Sequence, residues 1–352
     1  MKRVEKTKEI LRSENIGCFL TTDVKNIYYL TGFLDIPGAT LNMLIRPEGE
    51  PLLLVTPLSL EAAISGARDC VVEGIKVEES VNERVIKEIK NISPKRIGYD
   101  SLQLQTYLDL TKRIGAEFCD KGDVISRQRR IKDDEEINLI QRACEIADIG
   151  MEAAVEAIHP GAKEYEIASQ AEYEMRKNGS MGTAFETLVA SGPRSAYPHG
   201  VSSERKILDS DIVTVDLGAV WKGYCSDITR TVIAGKPLER DLRTIQRVMR
   251  AHDKALEQMR SGVEATMIDG LVRKTLGARL KPYFIHGLGH GVGLAIHEAP
   301  TISQTTKDVL ETGNVVTDEP GVYFHGYGGV RIEDTVLILR EGCKKLTCAP
   351  YP

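Results

Sequence analysis

The sequence predicts a small α/β domain followed by a larger α+β domain in which helices wrap a sheet. Three observations carry this. At 352 residues the chain is long enough for two cores of ordinary size. A composition shift near residues 120–130 includes the basic run of Arg127, Arg129 and Arg130. Beyond it the chain twice repeats one phrase, a long helical stretch leading into an acid-bearing strand pair.

The elements follow in order. MKRVEKTKEILRSE alternates charges at helical spacing and has no apolar run, so it reads as a helix and not as a signal peptide. LNMLIRPEGEPLLLV, residues 41–55, reads as a hairpin turning at Pro47 to Gly49. ESVNERVIKEIKNIS is an amphipathic helix and RIGYD a short strand, which makes the N-terminal part a mixed-sheet α/β unit. No cluster of chemically capable residues stands out in it. The three arginines read as a solvated linker. After them, Asp133 and Glu136 have capping-box spacing, ahead of apolar Ile137, Ile140, Ala143, Ile146 and Ala147. Further helical stretches cover 237–260 and 265–279. The domain division expected from this is 1–125 and 126–352.

Charge narrows the function classes. A net charge of −5 gives no electrostatic reason to expect nucleic acid or an anionic membrane as partner. No 18 apolar residues run together, so no membrane-spanning helix is expected. Seven scattered cysteines without a C-x-x-C pair fit free thiols in a reducing compartment, which points to the cytoplasm.

Three segments carry chemistry. In VTVDLGAVWKGYCSDITRT, Asp216 and Asp227 occupy the two arms of a hairpin turning near Trp221 to Gly223. Asp is depleted in strands, and the separation of 11 puts both carboxylates on one face if the loop is even. Two facing carboxylates need a proton or a cation between them. Solvent-facing aspartates on an exposed hairpin are the alternative, since Val213, Val215 and Leu217 take the other face. In VVTDEPGVYFHGYGGVRIEDTVLIL, Glu319 and Glu333 again sit one per arm. Their separation of 14 requires an odd loop or a bulge to bring them to one face, and Gly326, Gly328 and Gly329 permit either.

The third segment, IHGLGHGVGLAIHEAP, sets glycines at every second position from Gly287 to Gly293, among His286, His290 and His297. Val292 stands where a dinucleotide fingerprint needs glycine, and a P-loop lysine is missing. Thr301 stands where H-E-x-x-H needs its second histidine. Alternate glycines instead suit an extended segment that bares backbone for close approach.

Together with PRSAYPHG, DEPGVY and GGVRIEDT, these segments resemble, in order and spacing, the pita-bread metallopeptidases of the prolidase and aminopeptidase P branch. The resemblance covers about residues 128–345. The domain ahead of it resembles the creatinase-type N-terminal domain of that branch. It implies a catalytic domain with a curved, mostly antiparallel sheet. It also implies a centre of two divalent metal ions, manganese, cobalt or zinc, held by Asp216, Asp227, His290, Glu319 and Glu333. Asp227 and Glu333 would bridge, Asp216 would serve one ion, and His290 with Glu319 the other.

By the same resemblance His199 and His297 flank the substrate, His286 stands behind them, and Tyr323 and Arg331 hold Asp216. Four carboxylates and two divalent cations sum to about zero charge. Without cations, like charges ~4 Å apart repel by several kcal/mol even at an effective dielectric of ~20. Such a centre activates water and polarises a carbonyl. Glu319 is placed to move the proton, and His297 and His199 to hold substrate or stabilise the oxyanion.

The implied activity is cleavage of the Xaa-Pro bond at the N-terminus of a dipeptide or short peptide, by a homodimer. A non-catalytic binding protein of this fold and a creatinase-like C–N hydrolase are the alternatives, and intact ligand positions disfavour both. Two departures bear on specificity. Asp318 replaces a usual apolar residue, and on a strand it should point away from Glu319. Thr301 stands where many prolidases of the branch carry an arginine that grips a dipeptide's free carboxylate.

Overall fold

The computed structural model describes residues 2–35 and 40–351. The chain divides into two compact units, Met1–Arg129 and Arg130–Pro352.

In the first unit, strands β1 (Cys18–Thr21), β2 (Leu41–Ile45), β3 (Leu52–Val55), β4 (Val71–Gly74), β5 (Arg96–Tyr99) and β6 (Glu117–Asp120) form one sheet, ordered β4-β3-β2-β1-β5-β6. The sheet is mixed: β2 runs antiparallel to β1 and β3, while β4, β5 and β6 join in parallel. β2 and β3 are the expected hairpin. Helices α1 (Lys2–Ser13), α2 (Val24–Thr31), α3 (Leu60–Gly66), α4 (Val81–Ile92), α5 (Leu104–Arg113) and α6 (Asp123–Arg130) complete the unit. α4 turns Val85, Ile86 and Ile89 into the core, and its Ser80–Glu83 capping box satisfies two orphan amides.

The basic run corrects one expectation. It is no linker but the end of α6. Arg129 is buried and donates to Asn26 Oδ1 at 2.9 Å, whereas Arg127 is exposed and pairs with Asp123 one turn back. The same helix stripe that buries Val124 and Ile125 brings Arg129 inward with them.

The second unit repeats helix-pair-then-hairpin, as expected. Helices α7 (Asp134–Ala157) and α8 (Glu164–Lys177) pack together, and α7 covers a three-stranded sheet ordered β11-β8-β7. Here β7 is Leu188–Ser191, β8 Ile212–Leu217 and β11 Ile228–Ile233, and the small strands β9 (Val220–Trp221) and β10 (Tyr224–Cys225) extend the hairpin between β8 and β11. Asp133 and Glu136 form the capping box of α7. Helices α9 (Glu239–Leu256) and α10 (Ala265–Leu280) pack with the second sheet, ordered β13-β12-β14-β17-β18. Its strands are β12 (Gly289–Gly291), β13 (Glu298–Ile302), β14 (Val315–Asp318), β17 (Asp334–Ile338) and β18 (Cys343–Lys345), with hairpin β15 (Gly321–Phe324) and β16 (Gly328–Arg331) between β14 and β17. Every ladder of this unit is antiparallel.

The alternate glycines do what their period suggests. A Cβ on Gly289 would stand 2.1 Å from the Thr317 carbonyl oxygen, and one on Gly291 would stand 2.4 Å from that of Ala299. β12 is therefore wedged against both neighbouring strands, a fit available only without side chains. Gly289→Ala should destabilise the protein by about 1–3 kcal/mol or more, because rigid backbone on β14 must move. Thermal unfolding checks this, and an unchanged midpoint would count against the wedge.

Candidate metal centre

The two sheets of the second unit meet at one main-chain bridge, between Thr229 and Glu333. Threonine hydroxyls extend the contact on both sides. Thr335 Oγ1 accepts from the Asp227 amide at 3.2 Å and donates to the Asp227 carbonyl at 2.7 Å. Thr231 Oγ1 does the same for Arg331, at 3.0 and 2.8 Å. This seam sets Asp227 and Glu333 side by side.

Register supplies the other acids. β8 and β11 pair Asp216 with Thr229, which puts Asp216 on the face shared by Asp227 two residues earlier. The pairs Asp318–Asp334 and Gly321–Arg331 keep one continuous register, so Glu319 lies opposite Glu333. The loop of β15–β16 is His325, Gly326 and Tyr327, an odd number, as the even separation demanded. Asp216 and Asp227 are not solvent-facing: their side chains are 13% and 7% exposed.

A cavity of about 730 Å³ collects Asp216, Asp227, Glu319, Glu333 and His290 on its wall. His199, His286, His297, Arg331 and Thr301 also line it. One donor atom each from Asp227, His290 and Glu333 lies within 4.8 Å of the others. His290 Nε2 is 3.6 Å from Asp227 and 3.4 Å from Glu319. Its Nδ1 donates to the Gly291 carbonyl at 3.1 Å, which turns the Nε2 lone pair toward the acids. Burial and the neighbouring His297 lower His290 to about 4, so it is neutral and available as a ligand.

The acids are pushed the opposite way. Burial first, then their mutual repulsion, raises Asp227 and Glu333 well above the carboxylate range. Burial also carries Glu319 up to about 8, although Arg331 pulls it down. Among the described residues no donor reaches the buried Asp216 Oδ1. An orphaned oxygen, crowded acids and one neutral imidazole make a donor set that fits divalent cations.

Arg331 organises the rim. Its guanidinium donates to Asp216 Oδ2, to Thr229 Oγ1 at 3.1 Å and to the Tyr323 hydroxyl at 2.9 Å. Tyr323 in turn meets His286 Nε2 at 2.9 Å, while His286 Nδ1 donates to the Gly287 carbonyl. Among the described residues Tyr323 makes no hydrogen bond to Asp216 and reaches it through Arg331. His297 stacks edge-on against His290, with centroids 4.2 Å apart, and His199 stands exposed at the mouth.

With this geometry in view, comparison with known proteins is direct. Residues 138–340 match Metallopeptidase family M24, and residues 3–131 match the Creatinase/Prolidase N-terminal domain. The chain belongs to metallopeptidase family M24. A relative in Pyrococcus horikoshii named Xaa-Pro dipeptidase is 39% identical over 98% of this chain and 97% of its own. The crystal structure of the prolidase from Pyrococcus horikoshii superposes with a TM-score of 0.94 at 39% identity, covering 100% of this chain and 99% of that one. The X-Pro aminopeptidase from Thermotoga maritima superposes at 0.87 with 33% identity, covering 97% and 99%. Membership of a metallopeptidase family implies divalent metal ions.

The M24 chain also uses residues that motif reading passed over. Thr229 donates to Glu333 Oε2 at 2.6 Å. Thr317 donates to Glu319 at 3.3 Å and accepts from the His290 amide at 3.0 Å. Both lie two residues from an acid on the same strand face, and that period was the available signal. Phe185, Ile285 and Ile296 give the cavity apolar wall, and nothing in their local sequence marks them.

Behind the acids lies a second charged layer. Asp318 points away from the cavity, as expected, toward buried His252 on α9, whose Nε2 is 3.7 Å from Asp318 and 3.1 Å from Asp334. Asp334 also takes Arg230 and Thr347, at 2.9 and 2.8 Å, together with Lys345 and Tyr351. Burial pushes Asp334 up, but His252 and Arg230 more than offset it and hold the carboxyl low. Asp318, which no hydrogen-bond donor reaches among the described residues, is driven by burial to about 7. Burial alone would lower His252, yet Asp318, Asp253 and Asp334 together raise it to about 9.

His252→Gln should cost about 3–5 kcal/mol, since it takes a buried cation away from Asp318 and Asp334. The folded value lies above the ordinary 6.5, so the stabilisation is complete below that pH and lost as pH rises through about 9. Unfolding at pH 6.5, 8 and 9.5 should show the gap between wild type and variant closing. A gap that does not change with pH would refute the charge pairing.

Proposed function

We propose that this protein is a dinuclear-metal exopeptidase that cleaves the Xaa-Pro bond at the N-terminus of dipeptides or short peptides. The observation that carries the reading is the convergence of Asp227, His290 and Glu333 donor atoms within 4.8 Å. Asp216 and Glu319 share the same wall. The names of the Pyrococcus and Thermotoga relatives support the Xaa-Pro preference.

In this reading Asp227 and Glu333 would hold both cations, Asp216 would serve one, and His290 with Glu319 the other. Manganese, cobalt and zinc all suit one imidazole among carboxylates. Bound there, the cations supply an acidified water and a polarised scissile carbonyl.

The chain's own residues do the rest. Arg331 fixes Asp216, and Thr229 fixes Glu333, so neither carboxylate has to reorganise when substrate arrives. Glu319 accepts the proton released at the attacking oxygen and returns it to the leaving nitrogen. His297 and His199 stand at the mouth, where an imidazole N–H can donate to the developing oxyanion. The apolar wall of Phe185 and Ile296 suits a proline ring better than a charged side chain. An Xaa-Pro bond has no N–H, so recognition must rest on such packing and on the carbonyl.

Thr301 lines the cavity and offers no charge to a free carboxylate. A clamp of one arginine is therefore missing at that position, which favours substrates longer than a dipeptide. The cytoplasmic setting and the homodimer belong to the same proposal. All seven cysteines are free, which suits a reducing compartment, and no helix is long and apolar enough to cross a membrane.

Chelation should abolish turnover, and refilling with manganese, cobalt or zinc should restore it to differing extents. Asp227→Asn and Glu333→Gln should each lower kcat by at least about a thousandfold by removing a bridge, a loss on the scale of a missing catalytic group. Full turnover by either variant refutes the bridging roles. Xaa-Pro-Yaa tripeptides should be cut at least as well as Xaa-Pro dipeptides, and strict dipeptidase action would show that Thr301 does not decide length. A sizing column at micromolar concentration should give a dimer, and a monomer there contradicts that part.

A further inference from the structure

A second cavity of the catalytic unit lies apart from the metal cleft. It lies against α9 and α10, measures about 770 Å³, and shares no lining residue with the cavity that holds the acids. Five arginines line it: Arg240, Arg243, Arg247, Arg250 and Arg279. The first four recur at steps of three and four along α9, one stripe running about 15 Å at the helical rise. Arg279 belongs to α10, just past Gly277, where a φ of 78° breaks the helix. Arg247 stands 3.7 Å from where a Cβ on Gly277 would lie.

Such crowding has a cost. Like charges at these helical spacings repel, and the chain as a whole carries a net charge of −5 with acids to spare. Yet few acids are sent here. Glu239 pairs with Arg243 at 2.9 Å. Asp241, the acid in the lining, accepts from the Tyr327 hydroxyl at 2.5 Å and lies 3.7 Å from Arg240. Arg247, Arg250 and Arg279 have no ion-pair partner among the described residues. Three guanidinium groups thus border one cleft with their donors unspent.

Aromatic rings complete the lining. Arg240 covers the face of Tyr327 at 4.2 Å, and Tyr283 packs on Phe324 with centroids 4.5 Å apart. All three rings border the cavity. Guanidinium forks match phosphate oxygens two at a time, and aromatic faces accept a flat heterocycle. The volume falls within the roughly 300–1,000 Å³ usual for small-molecule sites and does not suit a polymer track.

We propose that this cleft binds a nucleoside di- or triphosphate, its phosphates held by Arg247, Arg250 and Arg279 and its base against Tyr283 and Phe324. Isothermal titration on the metal-loaded protein tests it with three probes: a nucleoside triphosphate, inorganic tripolyphosphate and the uncharged nucleoside. The triphosphate should bind, tripolyphosphate should bind more weakly, and the nucleoside should give no measurable heat. Arg247→Ser with Arg250→Ser should weaken the triphosphate at least about tenfold, because charge-assisted bonds to phosphate are lost. Both positions are exposed, so peptidase activity should persist in that variant and certify its fold.

Asp227→Asn should leave the affinity unchanged. Loss of binding in Asp227→Asn with retention in the arginine variant would locate the phosphates at the metal centre and overturn the proposal. So would absence of binding at millimolar triphosphate. Equal affinity for tripolyphosphate would overturn the assignment of a base, and a single-stranded RNA that binds tighter than every nucleotide would overturn the small-molecule reading.

Discussion

Everything in the catalytic unit depends on a seam made of threonines. Two antiparallel sheets share one main-chain bridge, Thr229 to Glu333. Ordinary pairing between them stops there. On either side a hydroxyl takes over, with Thr335 spanning to Asp227 and Thr231 to Arg331, each both donating and accepting. The buried amides and carbonyls at the joint are thereby satisfied without a continuous ladder. Valine, similar in shape to threonine, would leave four buried backbone groups unpaired.

The seam concentrates charge that the fold must then balance from two directions. Toward the cavity, Asp216, Asp227, Glu319 and Glu333 have Arg331 as a fixed cation, and cations from solution must supply the rest. On the other face of the same strands, Asp318 and Asp334 have His252 and Arg230, both fully buried. Strand alternation sorts the two sets, since Asp318 and Glu319 are neighbours, as are Glu333 and Asp334, and each pair sends one carboxylate to each side. The rear layer balances its charge with its own side chains, although no donor reaches Asp318 among the described residues. The front layer does not, with one fixed cation among four acids and Asp216 Oδ1 orphaned.

How much of this was legible in the sequence follows from which periods act locally. Parity placed Asp216 beside Asp227, and the separation of Glu319 and Glu333 demanded an odd loop, which His325 to Tyr327 provides. Alternate glycines foretold close backbone approach. The seam threonines were written at the same period of two, yet threonine is common in strands and carries no flag of its own. His252 was out of reach for a different reason. It lies on a helix some 66 residues before Asp318, and only tertiary packing brings them together. Arg129 misled because a basic run was judged by composition, while its burial is decided by the helix stripe it shares with Val124 and Ile125.

The hairpin β15–β16 joins these layers to the arginine cleft. Tyr323 and Phe324 are consecutive on β15, so their rings leave opposite faces. Tyr323 turns to Arg331 and His286 at the rim of the metal site, while Phe324 turns to Tyr283 on the wall of the cleft. One strand's thickness thus separates a surface shaped around acids from a surface shaped around arginines. The two cavities share no lining residue, so a ligand in either would approach the hairpin from its own side. Opposite charge on the two faces also keeps an anion drawn to the cleft distinct from the cations drawn to the seam, a separation that a single mixed pocket could not maintain.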